Sequence, residues 1–223
     1  MKSLAKHFST LLMAFIAFAI FFNSCNSTTK KKDEQVVEEV KPPLPPGNDK
    51  NISYLNVDTL QSLIKSTPTF TITGKFKTPF DKLVFNKVMA YDFDGSEEPY
   101  PSIFEGNNKF IPIIEKQKAL TKSQAKELID LLTSTTTYGE ATAACFNPHL
   151  AFVFYNNELP VLTVNICLDC NYLIASEKIP AMEFKKINKG TENEYSAEGF
   201  SRKGKARIKR LGKQLDFYYG HIE

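Results

Sequence analysis

The run Leu150-Ala151-Phe152-Val153-Phe154-Tyr155 most constrains the fold, because it is apolar throughout and rich in strand-forming residues. A strand that is apolar on both faces needs cover on both, which places it inside a sheet. Asn156-Asn157-Glu158 supplies a tight turn, and Val161 to Cys167 returns beside the first strand as the second arm of a hairpin. Around it, Thr69 to Lys77 alternates Phe70, Ile72, Gly74 and Phe76 against polar residues, the period-two pattern of a half-buried strand. Leu83 to Phe93 reads as a further strand running into an Asp94-Gly95 turn. Phe110 to Ile114 reads as a short one, put at an edge by Pro112.

Helical spacing complements this pattern. Leu60, Leu63 and Ile64 predict a helix from about Asp58 to Lys65, stopped by Pro68. Thr121-Lys122-Ser123-Gln124 has capping-box form, and Ala125, Leu128, Ile129 and Leu132 line one face behind it. Ser201 caps a last helix in which Ile208, Leu211 and Leu215 face inward and the basic side chains face out. The expected fold is α+β, an antiparallel sheet with a central hairpin and two or three packed helices.

The N-terminus obeys different rules. Lys2 and Lys6 precede an apolar run from Phe8 to Phe22 that stops at Asn23-Ser24-Cys25. The run is shorter than the roughly 20 residues a spanning helix needs, and its flanks are those of a cleavable export signal. It resembles a bacterial lipoprotein signal peptide, which implies removal of residues 1–24 and lipidation of Cys25 with palmitate-like acyl chains. The polar stretch from Asn26 to Lys50, ending in Pro42-Pro43-Leu44-Pro45-Pro46-Gly47, then reads as an extended tether, so that residues 25–50 connect the membrane to one globular domain over 51–223. The implied location is the bacterial cell envelope, anchored to the inner or outer membrane, with the domain in the periplasm or at the cell surface.

Composition fits a folded domain, with 42% hydrophobic and 24% charged residues. Two of the 28 Lys and Arg fall in the leader, which leaves 26 against 25 acidic residues and excludes the basic excess of a nucleic-acid binder. The expected partners are therefore the membrane and an envelope protein. There is no Gly-x-Ser-x-Gly elbow, phosphate loop or His-Glu-x-x-His, so no catalytic residue is assigned.

Chemistry concentrates between Cys145 and Asn171. Cys145-Phe146-Asn147-Pro148-His149 precedes the hairpin, and Ile166-Cys167-Leu168-Asp169-Cys170-Asn171 closes it, so any tight turn brings the three cysteines together. In an oxidising compartment the expectation is a structural disulfide from Cys145 to Cys167 or Cys170, leaving one buried thiol. Three alternatives stay open. Cys167-x-x-Cys170 can act as a redox pair; Cys145, His149, Cys167 and Cys170 have the ligand types for tetrahedral zinc; and Cys145 can serve as a nucleophile with His149 as base.

The same stretch resembles a widespread family of uncharacterised Gram-negative proteins, often lipoproteins, with a Cys-Phe/Tyr-x-Pro segment before one strand and Ile-Cys-x-x-Cys-Asn after the next. The matching residues are Cys145, Phe146, Pro148, Phe154, Tyr155, Ile166, Cys167, Cys170 and Asn171, with Gly199-Phe200-Ser201-Arg202-Lys203-Gly204 before the last helix. The pattern has Arg-His after its proline where this chain has His149-Leu150, so the family's histidine falls on Leu150. The resemblance implies no particular activity; from the residues themselves no cofactor is expected, zinc being the alternative. The function expected is that of a non-catalytic structural or binding component of the envelope, with a thiol–disulfide or zinc-dependent role on Cys145, Cys167 and Cys170 as the other possibility.

Overall fold

A computed structural model describes residues 53–93 and 100–222. They all belong to the second of the chain's two units, Met1–Asp49 and Lys50–Glu223. The expected export signal, Cys25, the expected tether and the expected Asp94-Gly95 turn lie outside the described residues. In chain order the elements are α1 (Val57–Ser66), β1 (Lys87–Phe93), β2 (Phe104–Glu105), β3 (Lys109–Phe110), β4 (Ile114–Ala119), α2 (Lys122–Leu132), β5 (Tyr138–Glu140) and β6 (Leu150–Asn156). They continue with β7 (Leu159–Cys167), β8 (Tyr172–Ala175), β9 (Lys186–Ile187), β10 (Tyr195–Ser196), β11 (Gly199–Phe200) and α3 (Arg202–Leu215).

Five strands form one sheet in the order β4-β1-β6-β7-β8, and every pairing is antiparallel. The fold is α+β. The wholly apolar run is its central strand, and the sheet divides the interior into two cores. Val88, Ala90, Phe152, Phe154 and Val164 meet Leu128, Ile129 and Leu132 of α2 and Ile208, Leu211 and Leu215 of α3 on one side. Met89, Tyr91, Ala151, Val153 and Tyr155 meet Leu60 and Ile64 of α1 together with Phe110 and Ile111 on the other. Double-sided burial is why alternation fails in β6 and in β1, where all seven residues are buried.

Local chemistry fixes the elements. Asn56 caps α1 by accepting the Thr59 N–H, and Thr121 and Gln124 form the reciprocal capping box of α2. The β6–β7 turn carries Asn157 at φ 57°, and Asn86 grips it twice. Its Nδ2 donates to Asn157 Oδ1 at 2.9 Å, and its Oδ1 accepts the Asn157 N–H at 2.8 Å.

Two strand expectations need correction. Thr69 to Lys77 is not a strand: β4 and β6 occupy the two edges of β1, so the segment has no ladder to join. Its Phe70, Ile72 and Phe76 still pack against the helix-side core, which is what their alternation encodes. The outer strand is Ile114–Ala119, beyond the Phe110–Ile114 stretch the sequence suggested. Its Glu115, Lys116 and Lys118 are the charges that discourage further pairing at a sheet edge.

The last helix approaches the rest of the domain at a glycine. A Cβ on Gly204 would lie 2.3 Å from the Thr137 carbonyl oxygen, a backbone atom that cannot swing aside. Gly204→Ala is therefore expected to destabilise the domain by about 2 kcal/mol through overpacking, although alanine ordinarily favours a helix by about 1 kcal/mol over glycine. A chemical-denaturation midpoint that rises instead would show that α3 can slide away without cost.

Candidate functional site

β7 ends at Cys167 and β8 begins at Tyr172, joined by a turn in which Asn171 takes φ 64°, a left-handed conformation asparagine tolerates. The turn brings Cys167 and Cys170 to a Cα separation of 5.2 Å, and the two are disulfide-bonded. Cys167 is fully buried and Cys170 nearly so. The Cys170 N–H donates to Cys167 Sγ at 3.0 Å. Cys145 is exposed and outside the bond, contrary to the expected bridge from Cys145 to the hairpin. The local turn closes the pair by itself, and the β5–β6 connection carries the third cysteine on its outer side.

That connection nevertheless wraps Cys170. Ala143 N–H donates to the Cys170 carbonyl at 2.8 Å, and Asn147 N–H donates to Cys170 Sγ at 3.3 Å. Next to them Asn171 Nδ2 donates to Ala141 O at 2.7 Å, and the Phe146 ring lies 4.8 Å from that of Tyr172. The strand before α3 closes the third side. Phe200 N–H donates to Asn171 O at 3.0 Å, and a Cβ on Gly199 would stand 2.5 Å from Ala141 O, so only glycine lets these backbones meet. Residues read from three separate stretches of sequence thus meet around one sulfur pair.

The chain's last turn covers the same end of the sheet. His149 stacks on Tyr218 at 4.6 Å and meets the edge of Tyr219 at 5.7 Å. The Tyr219 hydroxyl accepts the Leu168 N–H at 3.0 Å, beside the disulfide turn. Burial, helped by the Asp169 carboxylate, pushes the Tyr219 hydroxyl above its ordinary range, so it stays protonated. Tyr218 N–H donates to Asp92 Oδ2 at 2.9 Å. Burial raises the Asp92 carboxyl to about 6, partly offset by that hydrogen bond. Outside, Asp216 joins Lys116 at 3.0 Å and His221 at 2.9 Å. Its hydrogen bonds to Lys116 and then His221 hold its carboxyl below the ordinary range.

The four residues read as possible zinc ligands do not form a ligand set. Cys167 and Cys170 are bonded to each other, and the His149 ring is packed on Tyr218 and the edge of Tyr219. Among the described residues, no group of three or more His, Cys, Asp or Glu side chains is placed to hold a metal ion. Sequence reasoning missed Asp92, Tyr218 and Tyr219. The available signal was Tyr218-Tyr219-Gly220 directly behind an amphipathic helix, where a docking turn is expected to pack.

At the opposite end of the sheet a cavity of about 270 Å³ opens between α1, the β2–β3 hairpin and the β6–β7 turn. Phe104, Phe110 and Tyr155 provide its rings, and Gln61, Asn108 and Glu158 its polar groups. The Tyr155 hydroxyl is held by that of Tyr91 at 2.8 Å, and Gln117 Nε2 donates to Tyr91 at 3.1 Å. The chain matches no family model, no curated protein and no solved structure with which it was compared.

Proposed function

We propose that this chain is a membrane-anchored envelope protein, lipidated at Cys25, whose domain has a non-catalytic binding or structural role in the periplasm or at the cell surface. The observation that carries the reading is the order Lys2, Lys6, apolar Phe8 to Phe22, Ser24 and Cys25, followed by a polar, proline-rich stretch. Two features are consistent with it. A bonded Cys167–Cys170 pair suits an oxidising compartment. The cavity near Tyr155 combines aromatic walls with a few polar groups, the composition of a small-ligand site. Acyl chains on Cys25 supply the hydrophobic signals that stable anchoring requires.

Cys25→Ser tests the reading. The wild-type chain is expected to sediment with membranes, resist extraction by salt and incorporate an alkyne-tagged fatty acid, whereas the variant does none of these. A wild-type chain that stays unlabelled and soluble after processing would refute the anchor.

A further inference from the structure

We propose that Cys145, Cys167 and Cys170 form a thiol–disulfide exchange site in which the Cys145 thiolate attacks Cys170 Sγ. This goes beyond a binding or structural role, since it gives the domain a chemical step. The S–S bond to Cys167 breaks as the Cys145–Cys170 bond forms, and Cys167 leaves as a thiolate. One proton is lost from Cys145 to solvent and one is regained by Cys167. The exchange is redox-neutral and needs no co-reactant.

Three observations select this direction. Both hydrogen bonds that flank Cys145, from Ala143 and from Asn147, end on Cys170. With Asn147 N–H 3.3 Å from Cys170 Sγ, two residues of chain keep the Cys145 Cα within about 10 Å of that sulfur. A loop movement on the order of a few Å then reaches the Cα separation of an ordinary disulfide. Next, the sulfur that leaves has a donor of its own: the Cys170 N–H points at Cys167 Sγ from 3.0 Å, toward the negative charge that develops there. Finally, the resident bond is shielded, with Cys167 at 0% and Cys170 at 2% exposure, while Cys145 is exposed. Exchange therefore carries one end of a hidden disulfide to the surface. There a partner bearing two thiols can attack Cys145 Sγ, leave with its own disulfide, and return the protein with all three cysteines reduced.

The test uses the full-length chain extracted in detergent, held at mildly alkaline pH, quenched in acid with a thiol-blocking reagent and mapped without reduction. Cleavage after Glu158 separates Cys145 from the other two cysteines, so a Cys145–Cys170 bond appears as two linked peptides, with blocked Cys167. That species is expected beside the main Cys167–Cys170 form. Glutathione is also expected to reduce the wild-type protein on the order of tenfold faster than Cys145→Ser, in which the buried bond has no route to the surface. Absence of the linked peptides together with equal reduction rates overturns the proposal. Cys167→Ser provides a second arm: Cys145 and Cys170 are expected to pair under air, and two persistent free thiols would show that the loop cannot reach.

Discussion

Phe154→Ala is expected to cost the domain about 4 kcal/mol, within the range for truncating a buried phenylalanine. Phe154 is fully buried in the central strand, where no neighbouring backbone can close over the void. Its ring packs against Phe80 at 5.2 Å and edge-on against Phe85 at 5.1 Å, contacts that add to the apolar area lost. Phe80 and Phe85 belong to the irregular segment leading into β1, so the variant should also loosen that segment, visible as faster amide exchange from about Phe70 to Asn86. Domains commonly hold only about 5–15 kcal/mol in total, so the folded population itself is at stake. Val84→Ala, at a residue 72% exposed in the same segment, is the control and should stay within about 0.5 kcal/mol. Urea unfolding of both variants decides the matter; a loss below about 1 kcal/mol for Phe154→Ala would mean that the aromatic cluster is not part of the cooperative core.

What the sequence disclosed of this fold follows from where its information is local. The caps of α2 and α3 and the Leu150–Cys167 hairpin each depend on residues a few positions apart, and all three appear in the structure as read. β4 escaped notice because an edge strand with Glu115, Lys116 and Lys118 hides its apolar side chains among charges. Thr69 to Lys77 misled for the converse reason: its alternation reports one-sided burial, which a loop lying on a sheet satisfies as well as a strand does. The site behaved likewise. That the stretch around Cys145 meets Cys170 was legible from the hairpin, but the bonded partner was not, since it depends on a turn bent by the left-handed Asn171. The approach of Gly199 and of Tyr219 to that turn joins segments about 30 and 50 residues away, for which spacing carries no signal.

The Asp92 carboxyl should make the domain lose stability as pH rises. Asp92 is 4% exposed at the end of β1, and burial lifts its folded pKa to about 6 from an ordinary 3.8. Below 3.8 the group is neutral in both states and contributes no penalty. Between 3.8 and 6 the unfolded chain ionises first, so folding is progressively disfavoured, and above 6 the penalty is constant. At 1.36 kcal/mol per pH unit, the gap between those values comes to roughly 3 kcal/mol. Glu115 and Asp216 raise the value further and Lys116 lowers it, so a variant is needed to separate the Asp92 contribution from the rest of the wild-type profile. Asp92→Asn isolates that contribution. Its amide oxygen can still accept the Tyr218 N–H, while the charge and its titration are gone. A buried amide adds its own cost, but one that does not vary with pH, so the diagnostic quantity is the change in the wild-type-minus-variant difference. That difference is expected to move by roughly 2 kcal/mol against the wild type between pH 4 and pH 7, the rest of the penalty having already set in at pH 4. A difference that stays constant across the range would mean that water reaches the carboxylate, and that the turn carrying Tyr218 does not seal this end of the sheet.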